Sequence, residues 1–123
     1  MNKSKGIIII KGDIFSDYRG TIKFVNDFTF KNIQRFYQID LPRKGMIRAF
    51  HGHMKESKAV FVISGTLLLS LAKLTNIKNP SKKIKVKKII LKSKCPQICI
   101  VPPGFANGIM SLEEKTQVIF FSD

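Results

Sequence analysis

Two histidines, His51 and His53, stand two positions apart and are the only histidines in the chain. Alternate residues of a β-strand share a face, so both imidazoles would point to the same side of a strand at this position. A histidine titrates near neutral pH, which suits it to take a proton from a carbon beside a carbonyl group, and its ring nitrogens also bind metals. The pair therefore predicts a site for proton transfer or for metal binding.

The rest of the chain supplies the strands that must position this pair. No window of a dozen residues has an apolar period of 3.6, whereas short β-branched and aromatic runs recur between turn residues. Strands are predicted near residues 7–10, 21–25, 35–40, 46–51, 58–64, 66–73, 83–91, 97–101, 106–111 and 116–121. Short strands at regular spacing are typical of a jelly roll or small barrel. We therefore expect an all-β protein with one domain over residues 1–123.

The composition limits the partners of such a domain. Lys and Arg number 22 against 8 Asp and Glu, and the net charge of +14 would attract phosphates of any kind. No predicted helix could enter a nucleic-acid groove, so a phosphorylated small molecule is the expected partner and nucleic acid is not. The longest apolar runs, residues 6–10 and 59–63, are too short for a membrane span or a signal peptide, and a cytoplasmic location is expected.

The two cysteines, Cys95 and Cys99, are four positions apart with Pro96 between them. This spacing matches no zinc motif, and a zinc site would need two further ligands. We expect both to be reduced, buried thiols.

The histidine pair belongs to a spacing that resembles the first of the two cupin motifs, in the residues Gly45, His51, His53, Glu56 and Gly65. Residues 102–107 resemble the second motif, which has a Pro-x-Gly turn and then a histidine, but Asn107 stands at the histidine position. The resemblance implies a double-stranded β-helix, the jelly-roll barrel of the cupins. A metal would be held by His51, His53 and Glu56 with Asn107 as a poor fourth ligand, so a metal-dependent enzyme or sensor stays an alternative.

A closer resemblance is to the dTDP-4-dehydrorhamnose 3,5-epimerase family, a metal-free branch of the cupins. Its landmarks occur here in order, as residues 17–20, 47–53, Lys58, Gly65 and 101–108. The short length and the His-x-His are more similar to the related dTDP-sugar 3,4-ketoisomerases, whose Arg-x-Tyr segment resembles residues 35–37. The resemblance implies an isomerase or epimerase of a nucleotide-linked 4-keto-6-deoxy sugar, acting as a homodimer by enolisation without a cofactor.

The same resemblance implies a role for each site residue. His51 would be the base, His53 or Tyr37 would return a proton at another carbon, and Lys58 would stabilise the enolate. The substrate-binding residues would be Arg48 and Arg19, which would hold the pyrophosphate, and Asn107. A strict period of two places Ala49 with the histidines and turns Arg48 away from them, so the role of Arg48 requires a β-bulge or a strand edge.

The chain also departs from the epimerases near its last strand. Their tyrosine acid and the aspartate that pairs with their catalytic histidine lie beyond the final Pro-Gly motif, where this chain has Phe120 and Phe121 and stops at Asp123. Epimerisation at two carbons is therefore not expected. A non-catalytic module that binds nucleotide sugars remains a third possibility.

Overall fold

The structure is a computed structural model that describes residues 6–74 and 85–123, and within these ranges it is all-β without a helix. The strands are β1 Ile8–Lys11, β2 Asp13–Asp17, β3 Gly20–Phe24, β4 Arg35–Leu41, β5 Ile47–His53, β6 Lys58–Ser64, β7 Thr66–Lys73, β8 Val86–Lys92, β9 Gln97–Val101, β10 Phe105–Ser111 and β11 Thr116–Ser122. Among the residues described, no helix is long and apolar enough to cross a membrane.

Two antiparallel sheets form the body of the molecule. One has the strand order β1-β9-β6-β11-β4, and the other has the order β5-β10-β7-β8. Each sheet turns alternate residues inward, as in β7, where Leu67, Leu69 and Leu71 are buried, and in β11, where Val118 and Phe120 are buried. These side chains belong to one apolar cluster to which both sheets contribute, so the core lies between the sheets. The predicted jelly-roll architecture is confirmed.

The segment between β3 and β4 covers the outer face of the five-stranded sheet. Phe28 is buried there against Ala59, Ile98 and Ile100, and it contacts the ring of Phe121. Strand β4 is one edge of the five-stranded sheet, and β5 is one edge of the four-stranded sheet. The two edge strands are the elements that matter for the site.

Strand β2 was missed by the sequence prediction. It pairs with β3 in a separate two-stranded hairpin whose turn holds Tyr18 and Arg19, and the predicted turn at residues 17–20 is confirmed. Its sequence, Asp-Ile-Phe-Ser-Asp, begins and ends with aspartates, which are poor strand formers, so its apolar signal is weak.

Three other expectations need correction. Strand β5 begins at Ile47 and runs through His53, two residues beyond the predicted end, so both histidines lie within it. Strand β8 begins at Val86, while positions 83 and 84 of its predicted range lie outside the described residues. Cys95 is exposed rather than buried because it lies in the turn before β9, whereas Cys99 is free and buried within that strand as expected.

Candidate active site

A cavity of about 400 Å³ opens between the edge strands of the two sheets. Its lining residues are Arg35, Tyr37, Gln38 and Ile39 from β4, Arg48, His51 and His53 from β5, Asn107 and Ile109 from β10, and Phe120 from β11. Five of the seven residues predicted for the site are therefore brought together here. The two that do not line the cavity are Lys58 and Arg19.

A β-bulge in β5 turns Arg48 into the cavity. Asn107 pairs with His51 and Ile109 pairs with Arg48, so two steps along β10 match three steps along β5. The extra residue shifts the alternation, and Arg48 therefore faces the same side as His51, as its proposed role requires. The same shift corrects the expectation that Ala49 shares the face of the histidines, because Ala49 does not line the cavity.

Gly108 makes room for this bulge. A Cβ atom added to Gly108 would lie 2.9 Å from the Cβ of Ala49, closer than real Cβ contacts come, and 3.0 Å from Cε1 of Phe50, which is a tight contact. Its strand neighbours, Asn107 and Ile109, face the cavity, so the side of Gly108 that meets Ala49 is the opposite one. The methyl group of Ala49 therefore lies on the side of the strand away from the cavity and takes no space from a ligand bound there.

The backbone carbonyl groups of both histidines accept hydrogen bonds from β10 and the turn before it. Asn107 donates from Nδ2 to the carbonyl oxygen of His51 at 3.4 Å, and the amide of Gly104 donates to the carbonyl oxygen of His53 at 2.8 Å. Burial lowers the pKa of His53, the charge of Lys58 lowers it further, and the carboxylate of Glu56 opposes both effects. His53 is therefore uncharged at neutral pH and able to accept a proton.

Tyr37 supplies the phenol of the cavity. Its ring stacks on that of Phe120, with centroids 5.4 Å apart and planes 3° from parallel. Burial raises the pKa of Tyr37, so the hydroxyl group stays protonated at neutral pH and can act as a proton donor. Strand β11 contributes Phe120 to the lining rather than a tyrosine. Tyr37 is therefore the one phenol among the described residues that line the cavity.

Lys58 is buried next to the cavity wall. It is 1% exposed, and its Nζ donates to Oε2 of Glu56 at 3.0 Å and to Oγ of Ser122 at 3.1 Å. The Nζ lies 5.5 Å from the centroid of the Tyr37 ring. The ammonium group of Lys58 therefore lies near Tyr37, which lines the cavity, but Lys58 itself does not line it.

Arg19 lies in the turn of the β2-β3 hairpin. Its guanidinium group forms a 2.6 Å ion pair with Asp17, and its side chain is 71% exposed. This pairing lowers the pKa of the Asp17 carboxyl. Within one chain, Arg19 and the cavity are separate features.

Arg35 is a cavity residue whose role the sequence analysis did not assign. Its Cζ lies 5.1 Å from the centroid of the Tyr37 ring. The signal that could have found it is its position two residues before Tyr37, which places both on one face of β4. With Arg48 it gives the cavity two guanidinium groups, and no carboxylate is among the described residues that line it. Such a lining suits an anionic ligand, because guanidinium groups match phosphate oxygens in pairs.

The residues present do not fit the metal site considered from the sequence. In the ranges that the structure describes, no group of three His, Cys, Asp or Glu residues is placed to hold a metal ion. The third ligand in that alternative was Glu56, and its Oε2 accepts the hydrogen bond of Lys58.

Comparison with known proteins agrees with this geometry. A family model described as dTDP-4-dehydrorhamnose 3,5-epimerase matches residues 2–123. The solved dTDP-4-dehydrorhamnose 3,5-epimerase from Sulfolobus tokodaii is 28% identical, with a TM-score of 0.79, and the match covers 100% of this chain and 73% of that one. No curated protein matches the sequence significantly.

Two further solved structures share the fold. The 3,4-ketoisomerase QdtA from Thermoanaerobacterium thermosaccharolyticum, in complex with TDP-4-keto-6-deoxyglucose, is 16% identical with a TM-score of 0.74 over 97% of this chain and 80% of that one. The Bacillus anthracis epimerase, with TDP and PPi bound, is 22% identical with a TM-score of 0.76 over 95% and 71%. By the match of the family model, the chain belongs to the dTDP-4-dehydrorhamnose 3,5-epimerase family and is a nucleotide-sugar epimerase or isomerase.

Proposed function

We propose that the chain is a 3,4-ketoisomerase of a dTDP-linked 4-keto-6-deoxy sugar and that it works by enolisation without a cofactor. The observation that carries this proposal is the meeting of His51, His53 and Tyr37 in one cavity with two arginines. Imidazoles and a protonated phenol are the groups that move protons on and off an enolate.

The reaction begins at the carbon next to the ketone. His51 removes the proton from this carbon, the C–H electron pair becomes part of a carbon–carbon double bond, and the carbonyl oxygen becomes an enolate oxygen. That oxygen takes up a proton, and the hydroxyl group on the neighbouring carbon gives one up. Delivery of a proton to the former carbonyl carbon completes the reaction, and the ketone then lies at the neighbouring carbon. Tyr37 gives the proton that the enolate oxygen takes up, and the neutral imidazole of His53 accepts the hydroxyl proton and then delivers it to the former carbonyl carbon. The proton taken by His51 finally restores the phenol of Tyr37.

The single phenol favours ketone migration over epimerisation at two carbons. Inversion at a carbon requires that the proton leave one face of the sugar ring and return on the other. In this cavity the strand that would carry a second acid, β11, presents Phe120, which is stacked on Tyr37. Among the described residues that line the cavity there is one phenol and not a second, which supports ketone migration over inversion at two carbons.

The two arginines support binding of the diphosphate. Arg48 forms no ion pair in the described part of the chain, and Arg35 has only a long one, 3.7 Å from Glu56. The guanidinium group of Arg48 is therefore free to bind phosphate oxygens in pairs, and Arg35 adds positive charge beside it. Asn107 lines the cavity beside them and is a further candidate for substrate binding.

We also propose a homodimer, in which the β2-β3 hairpin of one copy packs against the other. The hairpin exposes Phe15 and Ile22, which are 53% and 61% exposed, and apolar surface of this kind favours association. Because Arg19 lies in the turn of this hairpin, it could contact the diphosphate only at the cavity of a second copy.

The product of the reaction tests the proposed function. Incubation with dTDP-4-keto-6-deoxyglucose, followed by carbon NMR, should show the carbonyl signal move from C4 to C3 of the sugar. Inverted configuration at C3 and C5 with the ketone still at C4 would contradict ketone migration and indicate a 3,5-epimerase instead.

A further inference from the structure

Glu56 connects the groups around the cavity without lining it. Its Oε2 lies 3.0 Å from Nζ of Lys58, 3.3 Å from Oγ of Ser122, and 3.7 Å from both Nη2 of Arg35 and Nδ1 of His53. One carboxylate oxygen therefore meets side chains from β4, β5, β6 and β11. Glu56 itself is absent from the cavity lining, so it does not contact a ligand there.

Oε2 of Glu56 faces the Nδ1 edge of the His53 ring at 3.7 Å, which is longer than a hydrogen bond, so the carboxylate acts on the ring through its charge. An imidazole whose Nδ1 faces a carboxylate keeps its proton on that nitrogen and leaves Nε2 as the basic one. Since His53 lines the cavity, Nε2 is the nitrogen left for substrate. The negative charge of Glu56 thus favours the tautomer of His53 that carries its proton on Nδ1.

Glu56 also holds the two cations that flank Tyr37. Lys58 and Arg35 lie 5.5 Å and 5.1 Å from the centroid of the Tyr37 ring. Within the described residues, Glu56 is the only carboxylate within 4.0 Å of either cation. A buried ammonium group without such a partner is strongly destabilising, so the carboxylate keeps Lys58 in place.

We propose that Glu56 is a positioning residue of the isomerase, which acts by its charge on the Nδ1 edge of His53 and holds Lys58 and Arg35 against Tyr37. The proposal rests on the function proposed above for the cavity. It assigns to Glu56 an electrostatic role that a purely structural residue would not have.

The charges around His53 determine in which direction the pKa of His53 should change when Glu56 is replaced. Lys58, Arg35 and His51 all disfavour a proton on His53, and Glu56 is the one anion that favours it. Replacing Glu56 by glutamine keeps an acceptor for Lys58 but removes the negative charge. The pKa of His53 should therefore fall further below the usual value for histidine.

Proton NMR of the protein without substrate measures this effect. A His51→Asn background leaves His53 as the sole imidazole of the chain, so its titration is unambiguous. Adding Glu56→Gln should lower the pKa of His53, and adding Glu114→Gln, the same change at an exposed residue, should leave it unchanged. An unchanged or raised pKa with Glu56→Gln would overturn the proposal. Because no substrate is present, this outcome is independent of whether the proposed reaction occurs.

A second background protects the test against loss of folding. If Glu56→Gln unfolds the protein because Lys58 loses its partner, the same comparison is made with Lys58→Met, which removes the buried charge. In that background Glu56→Gln should again lower the pKa of His53, and no change would overturn the proposal. In the otherwise unaltered enzyme, Glu56→Gln should lower kcat roughly tenfold, less than the loss of about 100-fold or more expected when a proton-transfer group is removed. The limb of the pH profile that reports His53 should move to lower pH.

Discussion

Arg48 and His51 face the same cavity although three positions separate them along β5, and the bulge opposite Gly108 is the reason. Strict alternation would have put the guanidinium group and the imidazole on opposite faces of the sheet. The proposed phosphate binding by Arg48 and the proposed proton removal by His51 therefore both depend on the register of one strand pair.

Gly108→Ala should disturb this register. The new methyl group would meet Cβ of Ala49 at 2.9 Å, so the bulge must shift, and we expect destabilisation of about 1–3 kcal/mol together with a raised KM. Thermal unfolding and steady-state kinetics measure both effects. Gly6→Ala is the matched control, because a Cβ there meets no atom within 4 Å. If Gly108→Ala behaved like Gly6→Ala, the register would not depend on Gly108.

Tyr37→Phe should separate the phenol from the ring stack. The variant keeps the apolar contact with Phe120 but loses the proton donor, so kcat should fall by about 100-fold while the melting temperature changes little. Burial raises the pKa of Tyr37 above its usual value of 10.0, so the wild type should not lose activity through this group until the pH exceeds 10. Phe120→Leu, which breaks the stack but keeps the phenol, should have a smaller effect on kcat. Equal losses in the two variants would show that packing, not proton donation, is what matters.

Arg48→Lys should weaken binding of the nucleotide. A lysine keeps the charge but cannot form paired hydrogen bonds with two phosphate oxygens, so KM and the Kd for dTDP should rise by about tenfold. Calorimetric titration with dTDP measures the change in affinity. Arg43→Lys, an exposed position in the loop before β5, should bind dTDP as the wild type does. An unaltered Kd for Arg48→Lys would remove Arg48 from the phosphate site.

The two cysteines should differ sharply in reactivity. Burial raises the pKa of Cys99 to about 12, whereas Cys95 is exposed. A thiol reagent at pH 8 should therefore add once to the folded protein, because the thiolate is the reactive form. Mass spectrometry should locate this adduct on Cys95, with a second adduct only after unfolding. Two rapid adducts on the folded protein would contradict the buried position of Cys99.

The pairing of the histidines was predictable from the sequence because it depends on local geometry alone. A period of two places His51 and His53 on one face wherever the strand lies. The position of Arg48 was not predictable in the same way, because the bulge depends on Gly108, which is far away in sequence and meets Ala49 only through strand pairing.

Lys58 and Arg19 show the same limit. A lysine in a strand is usually solvated, but Lys58 is buried with its ammonium group bonded to Glu56, two residues before it, and to Ser122, which is distant in sequence and which local patterns do not bring near. Arg19 lies within a predicted turn, and that turn is confirmed, but the hairpin holds it in an ion pair with Asp17. Local patterns therefore named residues that meet in one cavity, but they did not predict where Lys58 and Arg19 would lie.

Deuterium exchange tests most directly the claim that the cavity enolises a keto sugar without a cofactor. Protein treated with a chelator is mixed with dTDP-4-keto-6-deoxyglucose in deuterated water, and the sugar is followed by mass spectrometry and proton NMR. We expect deuterium at a ring carbon with the wild type and none with His51→Asn. Absence of exchange by the wild type with any common nucleotide keto sugar, or exchange that requires an added metal, would contradict it.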